Sequence, residues 1–282
     1  MKKMFAIVLA ALMVTALLAG CGSSTAETKA PETTAAPAAT AAAETATPAE
    51  TEAAAPAFTT IEAGKLIMST NAAFPPYEMV ADDGSFEGID VEIAGAIAKK
   101  LGLELVVDDM DFDAALLAVQ QGKSDIVMAG VTVNEDRKLV MNFSDTYSKG
   151  VQVVIVKEGS DVTLDNLGDQ MIGTQRGTTG YIYTSGDYGE DHVTAYDNGA
   201  SAVQALMNGQ VDCVVIDSAP AQAFVENNPG LTILDTEYTS EDYAIGMNKD
   251  NTALLEAING ALKELTEDGT IPAIVEKYIP TK

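Results

Sequence analysis

Two charged residues stand where a binding chemistry would need them. Asp217 follows the apolar run Cys213 to Ile216, and the nearest lysine or arginine in sequence is Lys249 on one side and Arg176 on the other. A carboxylate at the mouth of a buried strand requires a cation or several hydrogen-bond donors. It can find them as the N-cap of a helix over Ser218 to Val225, with Pro220 in the first turn. It can also find them in a bound ammonium group, and a cap can face a ligand. Arg137 closes the stretch Thr132-Val133-Asn134-Glu135-Asp136-Arg137. Asn134 can cap a helix there, and Glu135 and Asp136 suit its positive end. An arginine in the same turn opposes the helix dipole. Either it is a solvated surface charge, or a second anion holds it, such as a carboxylate gripped in two-pronged fashion. A carboxylate clamp paired with an ammonium acceptor is what an α-amino acid requires.

Other chemistries find little support. His192 is the only histidine and lies in a polar loop, so any Ser-His-Asp triad would have to use it. One histidine and one internal cysteine do not build a structural zinc site of the usual kind. Asp109, Asp111 and Asp113 alternate like the start of a calcium loop. Ala114 stands in place of its glycine, however, and Gln120 in place of its bidentate glutamate. No phosphate loop, Gly-x-Ser-x-Gly elbow or Ser-x-x-Lys motif occurs. The expectation is no metal, no cofactor and no catalytic residue.

The elements that must position Arg137 and Asp217 read as alternating strands and helices. Leu66 to Met68 is a short strand ending in Ser69-Thr70-Asn71. Asp90 is a plausible N-cap for a helix with Val91, Ala94, Ile97, Ala98 and Leu101 on one face, closed by Gly102. Strands are expected at Leu103 to Val107, Ile126 to Met128, Val151 to Val156, Met171-Ile172, Cys213 to Ile216 and Tyr243 to Met247. Helices are expected over Phe112 to Gln121, over Ala200 to Met207, and from near Thr252 and near Ile271. This is the pattern of a mostly parallel sheet covered by helices. One echo runs through it. Ala118 to Asp125 leads into Ile126-Val127-Met128, and Ala205 to Asp212 leads into Cys213 to Ile216. Each reads as helix end, glycine stop, two residues, aspartate, buried strand. Two similar αβ lobes would explain it, as would convergence on a common helix-to-strand turn. In open α/β sheets ligands bind beyond the carboxyl ends of strands, here at Ala129-Gly130 and at Asp217.

The 282 residues carry 42 acidic against 16 basic side chains, a formal net charge of −26. That excess argues against nucleic acid and against an anionic lipid surface as partner. Lys2 and Lys3 precede an apolar run from Phe5 to Leu18 that ends Leu18-Ala19-Gly20-Cys21. This is the pattern of a secretory signal, and it is short for a membrane span. Its end is similar to a bacterial lipobox, which would make residues 1–21 a lipoprotein signal and Cys21 the lipidated residue. Cys213 is then the remaining thiol, and no intramolecular disulfide is possible. Residues 22–57 are nearly all Ala, Thr, Glu and Pro, without Phe, Ile, Leu or Val. Such a segment cannot bury a core and is expected to be a disordered tether with a coil span of roughly 35 Å.

The remaining pieces resemble one family, the extracellular solute-binding proteins of polar amino-acid ABC importers. Members carry a strand ending in T-N/D-x-x-[FY]-x-P-[FY]-E, here Thr70 to Glu78. G-[FI]-D-[VI]-[DE] follows, here Gly88 to Glu92, then M-x-F, here Met110 to Phe112. A-G-[IVM]-T-x-[TN]-x-[ED]-R comes next, here Ala129 to Arg137, with Asn142-Phe143-Ser144 close behind. Gly177 to Gly180 and the Asp217 strand complete the series, in order, over residues 61–282.

The resemblance implies an α/β fold of two lobes, each a mostly parallel sheet covered by helices, joined by a two-stranded hinge. Lobe 1 would comprise residues 58–148 and 242–282, and lobe 2 residues 149–241. The crossings fall near Tyr147 to Val151 and Thr239 to Tyr243. It further implies that Arg137, with the Thr132 hydroxyl and the N–H groups of Thr132 and Thr179, holds a ligand carboxylate. Asp217 and the Gly130 carbonyl would hold the ammonium, and Phe74 and Phe112 would flank the side chain. Asn71 and Gln175 would read its polarity, and Asp90 would either cap its helix or provide a counter-charge for a basic side chain. Many relatives carry an acid at the Asn71 position, and an acidic ligand would want a second arginine. Arg176 is the other arginine of the body, and its neighbour Gln175 holds the pocket position. A neutral polar or cationic amino acid is therefore favoured over glutamate or aspartate.

On this resemblance the chain is a monomeric binding module, not an enzyme. It would be held by its lipid at the outer face of the cytoplasmic membrane and would serve the transmembrane subunits of an ABC permease. The alternatives are a cyclohexadienyl-dehydratase-like enzyme, which resembles this same fold, and a ligand-binding sensor domain. The first would need a general acid and a second cationic subsite, the second a membrane span and an output domain.

Overall fold

The computed structural model describes residues 58–235 and 237–280. The expected signal, the lipidated Cys21 and the tether lie outside the described residues. Strand β1 (Lys65–Thr70) leads into three short antiparallel strands, β2 (Ala73–Phe74), β3 (Glu78–Val80) and β4 (Phe86–Glu87). Helix α1 (Ile89–Lys100), β5 (Glu104–Asp109), α2 (Phe112–Gln120), β6 (Ile126–Val127) and α3 (Glu135–Val140) follow. Strand β7 (Asn142–Lys157) is long. Beyond it come β8 (Ile172–Gln175), α4 (Thr179–Tyr188), β9 (Val193–Tyr196), α5 (Gly199–Met207), β10 (Cys213–Asp217) and α6 (Ser218–Asn227). The chain continues through β11 (Leu231–Ile233), β12 (Thr239–Met247), α7 (Thr252–Glu267) and α8 (Thr270–Tyr278).

The main sheet runs β5-β1-β6-β12-β7-β10-β8-β9, with β11 also on β7. Its two outer parts are parallel: β1 pairs with β5 and β6, and β8 with β9 and β10. The middle is antiparallel, because β7 and β12 each run past both parts and pair from Thr239↔Gln152 to Met247↔Asn142. The fold is thus two-lobed α/β, with a ribbon of two strands between the lobes. The cores follow the same division. One apolar cluster joins Leu66 to Met141 with Tyr243 to Ile271. Two others lie between Val153 and Leu231.

The sequence echo is a structural repeat. Gly122 and Gly209 both take positive φ, 66° and 71°. The next amide closes each helix in the same way, Lys123 N–H to Ala118 O and Gln210 N–H to Ala205 O, both 2.9 Å. Each aspartate then ties down the start of the neighbouring parallel strand. Asp125 accepts from the Ile67 N–H, and Asp212 from the Met171 N–H, both at 2.8 Å.

One expectation needs correction. Asp90 does not cap α1. The helix begins at Ile89 with Gly88 as its N-cap, and no side chain bonds the first turn. Gly88 has φ 126°, and a Cβ there would fall 2.3 Å from the Tyr77 carbonyl oxygen. Only glycine admits that approach, so the helix starts two residues earlier than an Asp90 cap would give, and Asp90 turns inward.

Candidate functional site

The loop after β6 is shaped by Gly130, at φ 55°. A Cβ there would come within 2.8 Å of the Phe74 ring and 3.2 Å of Tyr243. Thr132 follows and bridges to Tyr243 on β12. Its hydroxyl donates to Glu241 Oε2 at 2.9 Å. The Asn134 side chain caps α3 by accepting the Arg137 N–H at 2.8 Å. Arg137 itself turns inward and is buried. Its Nη1 donates to Thr132 O at 2.8 Å, and Nη2 donates to Gly177 O at 3.1 Å. The guanidinium lies over the Phe112 ring, 5.3 Å from the centroid. No ion pair to Arg137 forms among the described residues. Burial pushes it down to about 10, with Glu241 opposing. Five N–H donors in a fork therefore leave capacity for an anion beyond the two carbonyls.

Opposite this loop, β8 ends in Gln175, whose Nε2 donates to Asn71 Oδ1 at 2.9 Å. Thr179 opens α4, so its N–H belongs to the free donors of a first helical turn. Asp217 ends β10 and does cap α6, accepting the Ala219 N–H at 3.2 Å. Its other oxygen accepts from the Tyr243 hydroxyl at 2.5 Å. Asp217 is 1% exposed, and burial pushes it up to about 6. Capping and facing the cavity are thus the same placement.

Asn71, Phe74, Phe112, Gly130, Thr132, Arg137, Gln175, Thr179 and Asp217 all line one cavity. Arg176 does not line it. It is half exposed on the surface, 3.4 Å from Asp197. His192 is also elsewhere, its ring Nδ1 3.3 Å from Gln170 O. Glu78, Gln152 and Tyr243 line the cavity too, and Glu241 backs it. Sequence reasoning did not single these out as site residues. Gln152 carried a signal, an amide inside the β-branched run Val151 to Val156. Its Nε2 donates to Glu241 Oε2 at 3.0 Å.

Gly150 on β7 gives the site its closeness. A Cβ there would lie 2.3 Å from Asp217 Oδ2 and 2.6 Å from the Tyr243 ring. Gly150→Ala should lower folding stability by about 1–3 kcal/mol through overpacking, read by chemical denaturation. An unchanged midpoint would show that the ribbon yields there without cost.

The buried acids also set a pH dependence. Asp90 and Asp217 are both pushed up to about 6, burial being the first cause. Groups raised on folding give stability that is present below the unfolded carboxylate range near 4 and is lost as pH rises through about 6. Going from pH 7 to pH 5 should return about 1 kcal/mol for each, and the falling charge repulsion adds to it. Asp83, Glu92 and Asp268 are shifted down by their hydrogen bonds, and Glu92 and Asp268 also by lysines. They act against this only below their own ordinary range. Melting temperature should therefore rise between pH 7 and pH 5; a fall over that interval would contradict the buried, raised acids.

The profile of the bacterial extracellular solute-binding proteins, family 3, matches residues 66–281. The chain belongs to that family. This family-3 solute-binding protein is 34% identical over 235 residues to a probable histidine-binding protein of Neisseria gonorrhoeae. The match covers 80% of this chain and 87% of that one. An ancestral arginine-binding protein bound to arginine is 41% identical, with a TM-score of 0.73, over 77% of this chain and 98% of that one. The same type of ancestral protein bound to glutamine is 40% identical, with a TM-score of 0.74, over 77% and 99%. Among the described residues of the family-3 protein, no helix is long and apolar enough to cross a membrane.

Proposed function

We propose that the protein captures a free amino acid outside the cytoplasmic membrane and delivers it to an ABC permease. The observation that carries this is a buried arginine and a buried carboxylate on one cavity, Arg137 from the first lobe and Asp217 from the second. Arg137 and the N–H groups of Thr132 and Thr179 hold the ligand carboxylate. Asp217 and the Gly130 carbonyl hold the ammonium. Phe74 and Phe112 flank the side chain, and Asn71 and Gln175 meet its polar end. The Thr132 hydroxyl donates its one hydrogen bond to Glu241 Oε2, so the ligand carboxylate rests on Arg137 and the two N–H groups unless that hydroxyl turns from Glu241 to the ligand.

The lobes divide at 148/149 and 241/242. A ligand touching both binds the closed form better and shifts the population toward it. Lipid on Cys21 and the tether of residues 22–57 keep the body at the outer face of the membrane. We read the molecule as a binder, not an enzyme. A neutral polar or cationic amino acid is favoured. The cavity carries one arginine against the Asp217 carboxylate, and Arg176 is engaged on the surface. The names of relatives that bind arginine, glutamine and histidine support the same range.

The test is calorimetry against all twenty amino acids, after unfolding and refolding to strip carried-over ligand. Tight binding of one or a few is the expected result. Silence from a folded protein would reject the amino-acid reading.

A further inference from the structure

Two buried acids have no task in the scheme above. Glu78 begins β3, Asp90 lies in the first turn of α1, and both are 0% exposed. Asp90 Oδ2 accepts two hydrogen bonds, from the Gly130 N–H at 2.9 Å and from the Tyr147 hydroxyl at 2.8 Å. Gly130 belongs to the ligand loop, and Tyr147 to the ribbon strand β7. Asp90 thus brackets the loop against the ribbon. Its other oxygen, Oδ1, and both oxygens of Glu78 are buried without a donor. Buried acceptors in native proteins are nearly always satisfied, so the three orphans together call for an explanation.

One proton supplies it. Glu78 and Asp90 interact through their side chains, and a neutral Glu78 would have an O–H to give to Asp90, leaving Asp90 ionised and facing three donors. Two carboxyls sharing a site do not both ionise. The other titratable groups facing the pair are Tyr77, Asp109 and Tyr147, none of them a cation. No lysine or arginine pairs with either acid among the described residues. Burial, then the charge of Asp90, holds Glu78 well above the usual carboxylate range.

We propose that Glu78 and Asp90 share one proton at neutral pH, and that Asp90 is a positioning residue fixing the Gly130 loop to the ribbon between the lobes. Its effect on ligand affinity rests on the amino-acid reading; the proton and the bracket do not.

The test has three readouts on the full chain. Infrared spectroscopy at neutral pH should show the carbonyl stretch of a protonated carboxyl that Glu78→Gln removes. Asp90→Ala should speed hydrogen exchange of the Gly130 amide about tenfold or more, with no amino acid added. It should also weaken amino-acid binding about 10- to 100-fold, as for loss of hydrogen bonds to a charged group. Asp90→Asn keeps a carbonyl acceptor and should restore Gly130 protection. It should also abolish the acid band, because its amide can donate to an ionised Glu78. If Asp90→Ala does not fold, Tyr147→Phe cuts the ribbon half of the bracket and should weaken binding in its place. Absence of a Glu78-dependent acid band would overturn the shared proton. Unchanged Gly130 exchange, or unchanged affinity in a variant that folds, would overturn the bracket. If the wild type binds no amino acid while band and exchange behave as expected, the pair stands and the amino-acid reading falls.

Discussion

Replacing Arg137 with alanine is expected to weaken amino-acid binding by about 2–5 kcal/mol, the range for truncating one partner of a buried charge pair. The guanidinium is already desolvated and is pushed down to about 10. Two of its nitrogens are tied to carbonyls, Thr132 on its own side and Gly177 across the cavity, and its face rests on Phe112. It is therefore pre-oriented, and a ligand carboxylate meets it without a further cost of ordering. Arg137→Lys should restore little, since a single ammonium cannot serve both carbonyls and a carboxylate in that fork geometry. Folding stability should hold better than affinity, because the variant removes a buried charge that no ion pair compensates. Calorimetry and denaturation on the same sample separate the two effects. Unchanged affinity would sink the clamp.

Asp217→Asn should weaken binding by about 2 kcal/mol or more while leaving the fold intact. Asparagine keeps an oxygen for the Ala219 N–H at the head of α6 and can accept from the Tyr243 hydroxyl. What it loses is the negative charge that an ammonium would answer. The variant should also reduce the rise in melting temperature between pH 7 and pH 5, since Asp217 is one of the buried acids raised on folding, with Asp90 and Glu78. A variant with full affinity would mean that Asp217 serves only as a cap.

The parts of the site that declared themselves in the sequence were those with a local grammar. Arg137 stood out because it opposed the dipole of its own helix, and Asp217 because a charge ended an apolar strand. The two glycine stops at Gly122 and Gly209 were visible because a helix end is a matter of a few residues. What stayed hidden depended on contacts distant in sequence. Glu241 and Glu78 read as ordinary acids, and only the packing of β12 and β3 against the cavity buries them. Asp90 reads as a cap because nothing local reveals that Gly88 meets the Tyr77 carbonyl. Strand β7 is legible in the sequence from Val151 onward. Its first half, Asn142 to Gly150, is polar, and pairing with β12 rather than propensity makes it a strand.

The register of that pair slips twice, between Tyr243 and Ala244 and between Ala244 and Gly246. Such irregularities add right-handed coil to a strand without ending its ladder. Both slips fall on the first-lobe side of the crossings, and Thr239 to Tyr243 stay in unbroken register with Gln152 to Ser148. The two strands that pass between the lobes therefore keep an uninterrupted ladder, and the irregular stretch begins at Tyr243, where the ring meets Gly130 and the backbone bridges to Thr132.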